Sequence, residues 1–388
     1  MKGTFSRTST SSGPSPWPAV EYEPLGRVIA APGAVARLGE VVRGLGCSHA
    51  LLVTDPGLER TGHPQRAERS MLEAGIAVTT FDGVKENPTE LEVIAGVAVA
   101  RAGGIDCIVA VGGGSSLDCA KGINFLLTNG GKMSDYKGHG KAAKPMLPSV
   151  GIPTTSGTGS EAQSYALITD ASSHMKMACG DKKAAFRVSI LDPEVTLSQP
   201  RSVTATTGID AVAHALESLV CLKRNAFSEM CSLTAFQHLE PNFERVMAHP
   251  NDLAARSAML LGAHFAGMAI ESAMLGVCHS CANPLTAHYG ITHGIAIGVM
   301  LPHVIRFNAG DPAAAKLYSQ VGGSAEALAD RVVELLSHAG LPRTLKECGV
   351  SETILQLLAE EANEQWTARF NPRPVGHAEI LKLYQAAW

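Results

Sequence analysis

The chain has 388 residues, of which 45% are hydrophobic, 5% aromatic and 18% charged, a composition that excludes disordered and fibrous proteins. Its 32 Lys and Arg against 36 Asp and Glu give a formal net charge of −4, and the absence of a long basic run argues against a nucleic-acid partner. No stretch of about twenty apolar residues is free of charge, so we expect no membrane span and no membrane partner.

The N-terminal residues 1–22 are predicted to form a flexible tail, since residues 1–18 are rich in Ser, Thr, Gly and Pro. They lack the apolar core of a signal peptide. The nine cysteines are odd in number and scattered from Cys47 to Cys348, which favours reduced thiols over a disulfide framework. Both features predict a cytoplasmic protein.

Residues 23–199 alternate short apolar runs with helical stretches, and we predict an α/β domain here. The runs at 50–54, 76–81 and 105–111 have the length and composition of buried strands. Thr89, followed three residues later by Glu92, has the spacing of a capping box and predicts a helix over residues 90–101. Strands alternating with helices indicate a parallel sheet with crossover helices.

Residues 200–388 differ in composition and are predicted to form an all-α domain. They are rich in Ala, Leu, Met and His, with helical periodicity and few β-branched runs. Pro193 and Pro200 flank the predicted boundary. A chain of this length is also more typical of two domains than of one.

A glycine turn at residues 112–116 joins the third strand to a helix predicted to start near Leu117. Glycines allow close approach of a ligand, and the free N–H groups of a helix start favour an anion such as a pyrophosphate. Ser115 and Ser116 add hydroxyl donors. The alternative is a plain tight turn, because the G-x-G-x-x-G fingerprint is not matched.

A second polar loop occupies residues 153–161, before a segment at 162–168 that has a helical pattern. Its hydroxyl groups, beside glycines, suit hydrogen bonds to a ribose or to a nicotinamide amide. A helix cap with a turn would use the same residues equally well.

Four residues of the second half form a candidate metal site. Asp210 and His214 lie four residues apart, which places both on one face of a helix. His279 and His293 follow in a stretch dense in histidine. One carboxylate and three imidazoles suit a divalent transition metal, although each histidine alone is more often a core residue.

A rival metal or redox site is the C-x-x-C pair Cys278 and Cys281. No second C-x-x-C is present, and the flanking Ala and Leu indicate a buried helix. Buried, inert thiols are the favoured interpretation.

The chain resembles the iron-containing (group III) alcohol dehydrogenases over nearly its whole length, from about residue 24 to residue 388. The shared motifs follow in chain order: T-D-P-G-L at 54–58, N-P-T at 87–89, G-G-G-S-S-L-D at 112–118, P-T-T-S-G-T-G-S-E at 153–161, G-I-D-A-V-A-H-A-L-E at 208–217, H-G at 293–294, L-P-H-V at 301–304 and N-P-R-P at 371–374.

This resemblance implies an N-terminal α/β domain that binds NAD(P), an all-α C-terminal domain, and a cleft between them where a small alcohol or aldehyde reacts. The metal ligands and catalytic residues it implies are Asp210, His214, His279 and His293. The metal is usually Fe²⁺ in this family, with Zn²⁺ or another divalent ion in some members. A dimer or larger homo-oligomer is also implied.

The resemblance further implies a cofactor site. Asp55 falls at the adenosine ribose, where a carboxylate would repel a 2′-phosphate, so NAD is favoured over NADP. The other residues implied on or next to the cofactor cleft are Asn87, Gly113, Gly114, Ser115, Ser116, Asp118, Thr154, Thr155, Thr158, Leu167, Lys176 and Asn283.

Some positions depart from the family pattern. Asn283 stands where a histidine near the nicotinamide is common, and an amide cannot exchange protons as an imidazole does. Ile270 and Ser272 stand where Phe and Asn are common. His288 is a candidate replacement in a proton relay, against the alternative of a plain surface histidine.

Two kinds of alternative function stay open. Dehydroquinate synthases, glycerol dehydrogenases and maleylacetate reductases are relatives with similar cofactor domains. A nucleotide- or metal-binding protein without turnover is the non-enzymatic alternative, favoured only by Asn283.

Overall fold

The computed structural model describes residues 25–171 and 176–388. The predicted tail at residues 1–22 lies outside them. The nine strands in the described part of the chain all precede residue 192: β1 Arg27–Ala30, β2 His49–Val53, β3 Ala77–Phe81, β4 Cys107–Gly112, β5 Gly138–His139, β6 Ser149–Pro153, β7 Tyr165–Thr169, β8 Lys176–Gly180 and β9 Val188–Leu191.

Six strands form one parallel sheet in the order β1-β9-β6-β4-β2-β3. Its central strand β4 is buried along its whole length, as are β6 and β9. Such burial on both faces explains the continuous apolar run in the sequence. The crossover helices are α1 Leu38–Gly44, α2 His63–Glu73, α3 Glu90–Gly103 and α4 Gly114–Asn129. The predicted parallel α/β fold is therefore confirmed.

A second, three-stranded sheet corrects one prediction. The segment at residues 162–168 is not helical: after a short 3₁₀ turn it forms β7, which pairs antiparallel with β8, and β8 pairs with β5. Burial alternates along this segment as in a strand, because Ala166 and Ile168 are buried while Leu167 is exposed. The period-two burial of a hairpin overrides the helical propensity of Ala and Leu.

The second half is all-α, as predicted. Residues 200–388 contain no strand, and their helices are α5 Arg201–Val220, α6 Ala226–Ala248, α7 Leu253–Ser272, α8 Val277–Tyr289, α9 His293–Asn308, α10 Pro312–Gly322, α11 Ala325–Ala339, α12 Leu355–Asn363 and α13 His377–Ala387. The division at residues 199 and 200 stays a prediction, although β9 ends at Leu191 and α5 begins at Arg201.

Helix α7 is the one helix in the described chain that is long and apolar enough to cross a membrane, with a mean hydropathy of 1.3. It contains Arg256 and Glu271, and 56% of its apolar window is buried inside the protein. It packs against α5 and α6, so it is a core helix of the second half.

The two halves meet where α7 crosses the end of the polar loop. A Cβ added at Gly159 would lie 2.7 Å from the Cα of Gly267, and one added at Gly267 would lie 2.5 Å from the carbonyl oxygen of Gly159. Beside this contact His264 Nδ1 lies 2.9 Å from Glu161 Oε1. Backbone contact and buried polar pairs thus join the halves.

Candidate metal centre and cofactor cleft

The glycine turn leads directly from β4 into α4. Gly113 is the N-cap residue, with no side-chain cap, and α4 begins at Gly114. A Cβ added at Gly114 would lie 2.7 Å from Thr158 Cγ2, and one at Gly113 would lie 3.3 Å from Thr155 Cγ2. The turn therefore presents uncapped N–H groups of α4, the arrangement that suits a phosphate.

Polar residues of two neighbouring strand ends reach this turn. The Ser116 hydroxyl donates to Asp55 Oδ2 at 3.1 Å, and the Asn87 amide donates to Ser115 Oγ at 3.2 Å. Asn87 has φ of 50°, a conformation that asparagine tolerates better than most residues. The structure thus brings the predicted residues of three separate segments together at one edge of the sheet.

The polar loop lies between the glycine turn and α5. The Thr154 amide donates to the Gly112 carbonyl at 2.9 Å, and Thr158 packs on Gly114. On its other side, a Cβ added at Gly157 would lie 2.5 Å from Thr207 Cβ, one turn before Asp210. The glycine turn and the helix that carries Asp210 are therefore separated by one loop.

Three further residues predicted in the cleft have different surroundings. Asp118 is buried, its Oδ2 accepts from the Leu167 amide at 3.2 Å, and its Oδ1 lies 3.5 Å from Lys121 Nζ. Its carboxylate joins α4 to β7 rather than facing the solvent. The side chains of Leu167 and Lys176 are exposed on neighbouring strands β7 and β8.

The four predicted metal ligands converge from three helices. Asp210 and His214 lie on α5, His279 is in the first turn of α8, and His293 starts α9. Asp210 Oδ1 is 3.5 Å from Nε2 of both His214 and His279, and 3.8 Å from Nε2 of His293. Three of these residues, Asp210, His279 and His293, have ligand atoms within 4.8 Å of one another.

The pKa values of these side chains are shifted by burial and by the charges of their neighbours. Burial would raise the pKa of Asp210, but the imidazoles hold it well below its usual range. Burial would lower the pKa of His279, but Glu217 and Asp210 raise it to about 9. Burial lowers the pKa of His293 to about 3 against the attraction of Asp210, and Lys176 acts in the same direction as burial. The positive charge of Lys176 therefore disfavours a protonated His293.

Glu217 is a residue of this centre that our sequence analysis did not single out, although it ends the motif at 208–217. Its Oε2 is 2.5 Å from His279 Nδ1, and its Oε1 accepts from the Cys278 amide at 2.7 Å. It lies seven residues after Asp210, on the same face of α5. That i, i+4, i+7 spacing of Asp210, His214 and Glu217 was the available signal.

The positions that depart from the family pattern have partners of their own. Asn283 Nδ2 donates to Gln365 Oε1 at 3.0 Å, and the Asn225 amide donates to Ser272 Oγ at 3.2 Å. His288 Nε2 lies 2.8 Å from Glu361 Oε2 and is exposed. This pairing supports the surface interpretation of His288 over the relay.

The C-x-x-C pair has the surroundings of structural thiols. Cys278 and Cys281 are fully buried and unbonded to each other. Burial raises the pKa of both thiols well above the usual value. Thiols of that kind are poor ligands and poor nucleophiles.

Comparisons with known proteins cover most of the chain in both halves. A family model described as iron-containing alcohol dehydrogenase matches residues 26–193, and one described as the C-terminal part of the Fe-containing alcohol dehydrogenase family matches residues 204–388. Alcohol dehydrogenase 4 from Schizosaccharomyces pombe is 35% identical, with 92% of this chain and 86% of that protein covered. The NAD-dependent methanol dehydrogenase of Bacillus methanolicus is 34% identical, with 92% and 96% covered.

Solved structures of similar proteins superpose on nearly the whole chain. A 1,3-propanediol oxidoreductase superposes with a TM-score of 0.89 at 34% identity, with 93% of this chain and 98% of that chain covered. A sulfoacetaldehyde reductase from Bifidobacterium kashiwanohense, in complex with NAD⁺, gives 0.86 at 25% identity, with 95% and 98% covered.

Proposed function

Because the chain belongs to the iron-containing alcohol dehydrogenase family, we propose that it transfers a hydride between NAD(H) and a small alcohol or its aldehyde or ketone. The proposed metal ligands, which are also the proposed catalytic residues, are Asp210, His214, His279 and His293. Fe²⁺ is the metal we expect, and Zn²⁺ or another divalent ion would fit the same donors.

The observation that carries the proposal is the set of unpaired polar atoms at the centre. Asp210 Oδ1 and His279 Nε2 are buried and lack a hydrogen-bond partner in the described chain, yet they lie 3.5 Å apart. Buried polar atoms are nearly always paired, and a divalent cation would satisfy a carboxylate and several imidazoles together. The donor set therefore fits the metal that the family uses.

The chain's own residues would set up the reaction. When bound, the metal supplies a Lewis acid that makes the substrate hydroxyl more acidic, and NAD⁺ supplies the hydride acceptor. His293 keeps 27% of its side chain exposed, so it would border the space in which substrate lies. The polar loop at 153–161 would fix the distance between cofactor and metal, since it touches both the glycine turn and α5.

We propose that NAD lies along the edge of the sheet. Gly113, Gly114 and the start of α4 would hold the pyrophosphate. Asp55 would face the adenosine ribose. The remaining proposed contacts are Asn87, Ser115, Ser116, Asp118, Thr154, Thr155, Thr158, Leu167, Lys176 and Asn283, of which Asp118 would act by holding α4 against β7. We also propose a cytoplasmic homodimer or larger assembly, on the strength of the family alone.

A metal-ligand substitution tests the function. His279→Ala should lower bound metal to background and abolish NADH formation from a panel of short alcohols, because it removes one of four donors. His288→Ala is the matched control, since it removes an exposed histidine from the same helix and should keep both properties. Full activity in a metal-free His279→Ala protein would refute the proposal. Release of product without net NADH would instead favour a lyase relative.

A further inference from the structure

Within the described chain, His279 is the one histidine of the centre whose second ring nitrogen lies beside a carboxylate. Glu217 Oε2 lies 2.5 Å from His279 Nδ1. His293 Nδ1 is buried and lacks a hydrogen-bond partner among the described residues, and the polar neighbour of the His214 ring is the Gly157 backbone rather than a carboxylate. One imidazole of the three is therefore oriented by a carboxylate.

The same carboxylate also holds the start of α8. Its Oε1 accepts from the Cys278 amide at 2.7 Å, while Asn371 Oδ1 accepts from the Val277 amide at 3.3 Å. These are two of the first N–H groups of α8, which have no partner inside the helix. Gly276 makes room for both acceptors, since a Cβ there would lie 2.9 Å from Glu217 Oε1 and from Asn371 Oδ1.

We propose that Glu217 is a positioning residue that fixes both the tautomer of His279 and the placement of its helix, so that Nε2 faces the metal as a lone pair. This inference rests on the proposed function, because it assigns the metal to His279. The backbone amide of Cys278 can only donate, and the ring must donate from Nδ1 if Nε2 is to bind a cation. In this geometry, only a side chain with two acceptor oxygens can accept from the Cys278 amide and from His279 Nδ1 at the same time.

Glutamine has nearly the same shape but cannot satisfy both partners. If its oxygen accepts from Cys278, its NH₂ group faces His279 Nδ1 and drives the ring proton to Nε2. If its oxygen instead accepts from the ring, its NH₂ group meets the Cys278 amide, and two donors face each other. Loss of a side chain that hydrogen-bonds to a metal ligand typically lowers metal affinity by about 10- to 100-fold.

The test compares Glu217→Gln with Glu361→Gln in metal titrations. Glu361 Oε2 lies 2.8 Å from His288 Nε2, so its substitution makes the same chemical change at a histidine of α8 that is not a proposed ligand. Co²⁺ affinity, measured by competition with a chelator, should fall about 10- to 100-fold in Glu217→Gln and stay at the wild-type value in Glu361→Gln. Wild-type affinity in Glu217→Gln would overturn the inference.

A second measurement needs neither metal nor the Glu217→Gln protein. In metal-free wild-type protein labelled with ¹⁵N-histidine, at a pH where the ¹⁵N shifts show a neutral His279 ring, the ring proton should lie on Nδ1. The resonance is assigned by its loss in His279→Ala. A proton on Nε2 would refute the role of Glu217. Failure of wild-type protein to bind Co²⁺, with the proton on Nδ1, would refute the proposed function alone.

Discussion

Gly114 allows the glycine turn and the polar loop to lie against each other. A Cβ at this position would meet Thr158 Cγ2 at 2.7 Å and Thr158 Oγ1 at 2.9 Å. We therefore expect Gly114→Ala to push the loop away from the turn. Overpacking costs about 1–3 kcal/mol, and about 1.4 kcal/mol is a tenfold change in affinity. Because NADH would bind the conformation in which the loop lies against the turn, its affinity, followed by fluorescence titration, should fall by about 5- to 150-fold.

A double-mutant cycle separates this clash from a general loss of folding. Thr158→Ala removes the two nearer atoms that the new methyl group would meet and leaves only Thr158 Cβ at 3.2 Å, so the double variant should lose less affinity than the sum of the two single variants. Additive losses would mean that Gly114 matters for another reason, such as direct approach of the ligand.

Single residues differ in how far their sequence context reveals their role. Asp210 and His214 are detectable because ligand chemistry coincides with a helical spacing. His279 and His293 lie on other helices, so their convergence needed the family resemblance or coordinates. The helical spacing of Glu217 places it on the face of Asp210, but it does not identify the partner of its carboxylate, which is 62 residues away in the chain.

Helix α3 begins with a capping box that also supports the Asn87 segment. Glu92 Oε2 accepts from the Thr89 amide at 2.9 Å, and Glu92 Oε1 lies 3.1 Å from Lys85 Nζ. Burial would raise the pKa of Glu92, but these partners lower it to about 2 from an ordinary 4.5. A depressed pKa means that the carboxylate stabilises the fold above about pH 4.5 and loses this effect as the pH falls toward 2.

Glu92→Gln should therefore destabilise the protein by about 1 kcal/mol at neutral pH, with a smaller difference from wild type as the pH falls below 4.5. The measurement is the urea midpoint of both proteins across that range. Glu73→Gln, which removes an exposed carboxylate from α2, controls for the change in net charge. A difference that persists at acid pH would contradict the assigned role of the charge.

Elements with strong local signals were predicted well. The expected strand at 50–54 corresponds to β2, the run at 105–111 to β4, and the helix at 90–101 to α3. The hairpin of β7 and β8 was missed, because its short strands follow a polar loop and its pairing partner comes later in the chain. Local propensity contains no information about such pairing.

The reaction needs both halves of the molecule at a fixed separation, since the proposed cofactor site lies in one half and the metal ligands in the other. The backbones of the two halves approach each other closely at Gly159 and Gly267. Glycine is favoured at position 159 by this close approach and also by its φ of 60°, a left-handed conformation. Gly159 belongs to the polar loop that touches the glycine turn, so this contact would set the distance over which the hydride travels.

Gly267→Ala should uncouple the halves while leaving each site intact. The added methyl group would lie 2.5 Å from the Gly159 carbonyl oxygen and 2.9 Å from Gly159 Cα, and backbone cannot rotate away as a side chain can. A misplacement of about 1 Å between reacting groups can cost about 100-fold in rate. We therefore expect kcat to fall far more than the affinities for NADH and for Co²⁺ measured separately.

Gly44→Ala provides the matched control for that experiment. Gly44 lies at the end of α1 with nothing within 4 Å of an added Cβ, so alanine there should raise stability by up to about 1 kcal/mol and leave kcat unchanged. If Gly267→Ala retained the wild-type kcat, the spacing of the halves would have to be set elsewhere. If it lost NADH and metal affinity together with kcat, the substitution would have damaged the sites themselves.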